Sequence, residues 1–222
     1  MLPSQTVENY LKTIFLAQAS LPAGELVPMG QLASSLGVVP GTATTMVKTL
    51  ADTGLVHYEP YMGVRLTASG EKLASMVLRR HRLVELFLVK VRGMSWAEVH
   101  DDAERLEHAV SDRLIDRIDE MLGRPAVDPH GDPIPDAQGA IAHRDLVDLL
   151  TARVGTPVIV ARVIDQEPDF LRFLEQCELV PGHRVIVVAR DPASDAVTVL
   201  TPGGRNVTIG TRAAAKILVK PE

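Results

Sequence analysis

A chain of 222 residues that is 46% hydrophobic but only 4% aromatic holds enough aliphatic material for one large domain or two to three small ones. Its single cysteine, Cys177, excludes a disulfide framework and any multi-cysteine zinc or iron–sulfur site, so a bound metal must be held by nitrogen and oxygen, and a reducing cytoplasm is the expected setting. The formal net charge is only −5, no apolar run approaches the length of a membrane span, and the opening Met-Leu-Pro-Ser-Gln does not read as a signal peptide, so no membrane partner is expected.

Residues 4–19 (SQTVENYLKTIFLAQA) place Val7, Leu11, Ile14 and Phe15 on one face, which predicts a helix. "MGQLASSLGV" reads as a short helix with Leu32, Ala33 and Leu36 inward, stopped by Gly37. "VPGTATTMVKTLADTGLV" restarts with Ala43, Met46, Val47 and Leu50 spaced for burial, and Gly54 ends it. "LVHYEPYMGVRLTASG" alternates around a Pro60–Gly63 turn and reads as a β-hairpin. Helix, turn, helix and hairpin within about 45 residues is the order of a winged helix-turn-helix. The second helix of the pair exposes Thr42, Thr44, Thr45, Lys48 and Thr49, although threonine lowers helix propensity and an ordinary surface helix favours Glu, Lys or Gln. Hydroxyls and a lysine, free of carboxylates until Asp52, suit a helix that approaches the phosphates and base edges of double-stranded DNA. The expected DNA-facing set is Gly41, Thr42, Thr44, Thr45 and Lys48, with Tyr61 and Arg65 of the hairpin. A small packing module that never touches DNA is the competing reading.

Residues 71–92, containing "RRHRLVELFL", continue as a helix with six basic and two acidic residues, a net +4. Residues 95–122 are expected as one longer helix with an apolar stripe of Val99, Ala103, Leu106, Val110, Leu114, Ile118 and Met121. A stripe this wide often packs on a partner chain as well as on its own core. Residues 98–120 carry nine acidic and three basic residues, a net −6, so a basic stretch runs directly into an acidic one. From Gly123 to Gly139 the chain is a proline- and glycine-rich connector. Beyond it, "TPVIVARVI", "HRVIVVAR", "DAVTVLT", "RNVTIG" and "KILVK" read as strands and "PDFLRFLEQC" as a helix, a small β barrel of about 75 residues.

Chemistry concentrates in "HDDAERLEH". His100, Glu104 and His108 fall at successive i, i+4 steps, with Glu107 beside His108. Unpaired, such a cluster repels itself, and a divalent cation turns the repulsion into attraction. Glu104, Glu107 and His108 offer hard oxygen and borderline nitrogen, a set for Mn²⁺ or Fe²⁺ that Zn²⁺ or Co²⁺ can also enter. A solvated acidic face with Arg105 as counter-ion is the bland alternative. His81 and Glu85 form an i, i+4 pair that two antiparallel helices turning near Gly93 bring towards His100. Asp128 and His130 in "DPHGD" are either incidental surface residues or ligands delivered by a rigid turn. There is no HExxH or HxxEH, no Gly-rich phosphate loop, no GxSxG elbow and no pair of E-x-x-H elements, so neither an enzyme nor an organic substrate is expected.

With "RRHRLVELFL", "VHDDAERLEHAVSDRL" and "DPHGDPIP" in this order, after a winged helix-turn-helix and before a β domain, nearly the whole chain resembles the diphtheria-toxin-repressor family of metal-dependent transcriptional repressors. The resemblance implies a mainly α chain with a small β domain: a DNA-binding domain at 1–72, a helical metal-binding and dimerisation domain at 73–140, and an SH3-like domain at 141–222. It implies a regulatory metal site of Asn9, Glu104, Glu107 and His108. A second site of His81, Glu85 and His100 recruits Asp128 and His130, with Asp169 from the C-terminal domain and Glu167 behind it. It implies a homodimer whose two winged domains read a palindrome and control metal uptake and homeostasis genes. Iron-responsive members tend to carry cysteine where this chain has Glu104, so the resemblance points to the manganese branch, with Fe²⁺ as the alternative and Zn²⁺, Co²⁺ or Cd²⁺ as substitutes in vitro. Asn9 stands where that branch usually offers an aspartate. Lys12 stands where some small manganese sensors place a second glutamate, so two separated sites are expected rather than a closely coupled pair. Without metal, the acidic face is expected to leave the first helix loosely held. A metal-dependent enzyme, a winged-helix repressor of an organic ligand and a metal-storage protein share parts of the pattern and are separated by DNA binding with and without metal.

Overall fold

The computed structural model describes residues 4–22 and 24–222, which pack as two compact units. The first is built from the chain up to His81 together with Glu107–Val110 and Pro135–Ile141. Helix α1 (Gln5–Gln18) starts at Ser4, whose hydroxyl accepts from the Val7 N–H, one of the orphan donors of a helix start. Helices α2 (Met29–Ser35) and α3 (Pro40–Asp52) follow, and α3 opens with proline at the position where a missing N–H does no harm. Strands β1 (Val56–Glu59) and β2 (Gly63–Leu66) pair antiparallel from Val56↔Leu66 to Glu59↔Gly63. Leu11, Ile14, Leu32, Val47, Leu50, Val56 and Val64 are fully or almost fully buried and make the core on which the helix pair and the hairpin rest. Val27 adds a bridge to this hairpin, exchanging both backbone hydrogen bonds with Val64. Glycine is required beside it: a Cβ on Gly63 would lie 2.5 Å from the Val27 carbonyl oxygen.

Helix α4 (Ala68–Arg92) begins in this unit and ends in the second. There it is followed by α5 (Val99–Leu106) and α6 (Asp112–Met121). The expectation of one helix over 95–122 is corrected. The apolar stripe is periodic across 107–111, but Ser111 accepts from the Leu114 N–H and starts a new helix, leaving Glu107 and His108 in the intervening turn.

The C-terminal part of the second unit is a six-stranded antiparallel sheet. Its strands are β3 (Val147–Asp148), β4 (Pro157–Val163), β5 (Arg184–Asp191), β6 (Ala196–Leu200), β7 (Asn206–Gly210) and β8 (Ile217–Pro221), in the spatial order β3-β8-β4-β5-β6-β7. Helix α7 (Pro168–Gln176) and the short α8 (Thr211–Ala214) complete it. Every strand read from the sequence is present. Only the two-residue β3 and the one-turn α8 were too short for a periodic signal. The core is aliphatic, with Leu149, Val160, Val163, Leu174, Val187, Val199 and Ile217 buried, and Trp96 and Ala97 join it. Among the described residues no helix is long and apolar enough to cross a membrane.

Candidate metal centres and nucleic-acid interface

In the first unit α1 supplies Glu8, Asn9 and Lys12, α4 supplies Arg80 and His81, and the Glu107–Val110 segment supplies Glu107 and His108. His108 Nδ1 lies 2.5 Å from a carboxylate oxygen of Glu8, and the other Glu8 oxygen accepts from Arg80 at 3.1 Å. The Glu8 carboxylate accepts a hydrogen bond from Nδ1, which fixes the ring and leaves Nε2 as the nitrogen turned towards Glu107. Nε2 is buried, finds no hydrogen-bond donor among the described residues, and stands 3.2 Å from Glu107 Oε1. Asn9 Oδ1 is likewise buried without a donor among the described residues.

Glu107 is fully buried. It accepts from Lys12 Nζ with both oxygens, at 2.7 and 2.9 Å, and from His81 Nδ1 at 2.6 Å. Burial alone would push its carboxyl up, but the His81 hydrogen bond and the charge of Lys12 outweigh that and hold it below the ordinary value. Glu104 sits half-buried on α5, three and four residues ahead of Glu107 and His108 in the chain.

In the second unit Glu85, His100, Asp128 and His130 come together. Glu85 Oε1 is 3.2 Å from His100 Nδ1, and ligand-type atoms of Glu85, Asp128 and His130 all lie within 4.8 Å of one another. His130 Nε2 is 2.7 Å from the Trp96 carbonyl, an acceptor only, so Nε2 carries the proton. Nδ1 therefore offers a lone pair; it too is buried without a donor among the described residues, 3.8 Å from Glu85 Oε2. Burial, reinforced by Asp132 and Glu85, raises the Asp128 carboxyl well above its ordinary value against the pull of Arg82.

The connector is thus no surface turn. Asp128 Oδ1 accepts from the His130 and Asp132 N–H groups at 2.8 and 2.9 Å, and Asp132 pairs with Arg162 at 2.5 Å and accepts from Gln166 at 2.7 Å. Its tight approach to β4 depends on Gly131, at φ +87°, where a Cβ would lie 2.0 Å from the Ala161 carbonyl oxygen. Asp169 is left outside the group: it is 98% exposed and pairs with Arg172, which also holds Glu98. Glu167 instead lines a cavity of about 630 Å³ with His100 and His130.

Of the residues expected to face DNA, Gly41, Thr42, Thr45 and Lys48 are exposed on α3, Thr44 is half-buried, and Tyr61 and Arg65 are exposed on the hairpin. The hydroxyls of Thr44, Thr45 and Thr49 donate to the carbonyls four residues earlier, at 2.8, 3.0 and 3.2 Å. In that state their oxygens only accept, and Lys48 and Arg65 are the cations exposed among these residues.

Two residues of the first unit's polar cluster have partners that the sequence reading did not pair them with. Glu8 was missed, although it is the single carboxylate of the run 4–19, where Lys12 is the single cation, and that was its available signal. His81 meets Glu107 through Nδ1, a pairing across 26 residues that spacing does not reveal.

A winged helix-turn-helix unit with unpaired, buried metal-type donors in its own polar core defines a metal-responsive DNA-binding regulator. Residues 3–64 match the iron dependent repressor N-terminal DNA binding domain, 67–136 the iron dependent repressor metal binding and dimerisation domain, and 147–221 the FeoA domain. The chain belongs to the diphtheria-toxin-repressor family of metal-dependent transcriptional repressors. It is similar to the iron-dependent repressor IdeR of Mycobacterium leprae, 30% identical over 97% of this chain and 96% of the relative. Among solved structures it is similar to a manganese-dependent transcriptional repressor in complex with manganese, at 40% identity and TM-score 0.86 over 97% of this chain and 100% of that one. It is also similar to ScaR with bound Cd²⁺, at 30% identity and TM-score 0.77 over 99% of this chain and 100% of that one.

Proposed function

We propose that this metal-dependent repressor responds to Mn²⁺, binding a palindromic operator as a homodimer and controlling metal uptake and homeostasis genes in the cytoplasm. The observation that carries the reading is the pair of buried ligand-type atoms without a hydrogen-bond partner among the described residues, Asn9 Oδ1 and His108 Nε2, the latter aimed by Glu8. A buried acceptor without a donor costs about 1–3 kcal/mol, and a cation removes that cost at both atoms. Asn9, Glu104, Glu107 and His108 would hold the regulatory ion with three oxygens and one nitrogen. That set leaves room for water or a backbone carbonyl and suits six-coordinate Mn²⁺ or Fe²⁺ better than tetrahedral Zn²⁺. The bound ion supplies positive charge and a link between α1 and the Glu107–His108 segment. Glu85, His100, Asp128 and His130 form the second site, to which Glu167 is better placed than Asp169 to contribute. Gly41, Thr42, Thr44, Thr45, Lys48, Tyr61 and Arg65 face the duplex, and the working domains are 1–72, 73–140 and 141–222.

Fe²⁺ is the second reading, favoured by the likeness to an iron-dependent repressor and by a donor set that serves both ions. The test is operator affinity across a series of Mn²⁺, Fe²⁺, Co²⁺ and Zn²⁺ with chelator as the blank. Mn²⁺ is expected to activate and chelator to abolish binding. Glu104→Cys, which replaces a hard oxygen by a soft thiolate, is expected to tighten Zn²⁺ and Co²⁺ and to weaken Mn²⁺-dependent binding. A Cys variant with the wild-type Mn²⁺ response transfers the assignment to iron. Equal operator protection in chelator and in metal removes both readings.

A further inference from the structure

The Glu8–His108–Glu107 cluster is already neutralised by the chain itself. Within it two carboxylates, Glu8 and Glu107, face two permanent cations, Arg80 and Lys12, at 3.1 Å and at 2.7 Å. Lys12 is 7% exposed and reaches both oxygens of Glu107, while His81 donates to one of them. An arriving dication therefore meets not a self-repelling acidic face but a carboxylate whose two oxygens are both occupied, one partner being a buried ammonium. Two cations on one buried carboxylate repel each other strongly. Moreover, Lys12 and Glu8 lie on α1, and their partners Glu107 and His108 lie in the segment after α5, so the chain's own side chains already tie α1 to that segment.

We propose that Lys12 is a built-in competitor of the regulatory metal: its ammonium holds Glu107 in the metal-free chain, and the divalent ion binds by displacing it. The inference rests on the reading that Glu107 and His108 are metal ligands. Lys12 thereby sets the metal threshold upwards, so that the repressor ignores low metal, and activation exchanges one cation for another instead of ordering a helix. Lysine suits the role. Its long flexible stem can swing out with its charge intact, whereas a planar guanidinium would bind the carboxylate bidentately and leave less readily.

The experiment is Mn²⁺ calorimetry on the full chain as wild type, Lys12→Met and His108→Ala, with thermal melts in chelator and in Mn²⁺. Lys12→Met keeps the apolar stem and removes the charge. It is expected to bind Mn²⁺ at one site about tenfold tighter, the size of effect that a single close like charge exerts, and to show a larger metal-induced rise in Tm. Equal or weaker Mn²⁺ affinity in Lys12→Met overturns the proposal. His108→Ala separates the two readings: if it loses one site while Lys12→Met is unchanged, the competitor fails and the metal site stands, and if it loses none, the site reading itself fails. A second measurement needs no variant. Acetylation of Lys12 in the wild type, followed by mass spectrometry, is expected to be faster in Mn²⁺ than in chelator as the ammonium leaves Glu107. A rate unchanged or slowed by metal also overturns the proposal.

Discussion

His108→Ala is expected to lower Mn²⁺-dependent operator affinity by about 100-fold or more. Removing a group that merely orients a ligand typically costs about 10–100-fold in metal affinity, and His108 is argued to be the sole nitrogen ligand of the regulatory site. The ring is held from behind by Glu8 at 2.5 Å and from Arg80 beyond it, so its Nε2 is positioned before any metal arrives. Alanine removes the donor atom and the Glu8–His108 link between α1 and the Glu107–Val110 segment together, and leaves the Lys12–Glu107 link in place. Operator titration by fluorescence anisotropy in Mn²⁺, with circular dichroism to establish that the variant is folded, checks the result. Glu8→Gln, which leaves the imidazole in place but weakens its orientation, is expected to fall between the wild type and His108→Ala. A folded His108→Ala chain with the wild-type Mn²⁺ response would remove His108 from the regulatory site.

Gly131→Ala is expected to destabilise the chain by about 2–3 kcal/mol, the scale of overpacking at a site that cannot relax. The added Cβ would stand 2.0 Å from the Ala161 carbonyl oxygen and 2.7 Å from the Arg162 Cα, both backbone atoms of β4, and the φ of +87° is one that side chains rarely adopt. The loop must then lift from the strand. With it go the Asp128 turn that presents His130 and the Asp132–Arg162 pair, so the number of bound Mn²⁺ is expected to fall from two to one. Denaturant unfolding gives the first quantity and calorimetry the second. A variant that melts like the wild type and keeps both sites would show that the connector is placed by something other than this contact.

Both effects concern residues whose type was readable and whose setting was not. The amino-acid sequence by itself determined the winged helix-turn-helix, because its cues are local: apolar residues at helical spacing, Gly37 and Gly54 as stops, and alternation around the Pro60–Gly63 turn. It also determined the strands of the C-terminal domain, each a short β-branched run. The ligand chemistry was legible for the same reason, since carboxylates and imidazoles packed into nine residues with one distant cysteine leave only oxygen and nitrogen to hold a metal. Tertiary structure alone decided the rest. The break at 107–111 keeps the apolar period and is marked only by the cap at Ser111. The partner of Glu107 is Lys12, 95 residues away, and that of His108 is Glu8, 100 residues away, so no spacing rule could pair them. Which imidazole nitrogen is free follows from the Glu8 carboxylate at His108 and the Trp96 carbonyl at His130. Residue types set which atoms can bind a cation; burial and the neighbours brought in from far along the chain decide which of those atoms are left without a donor, and whether a lysine is already there.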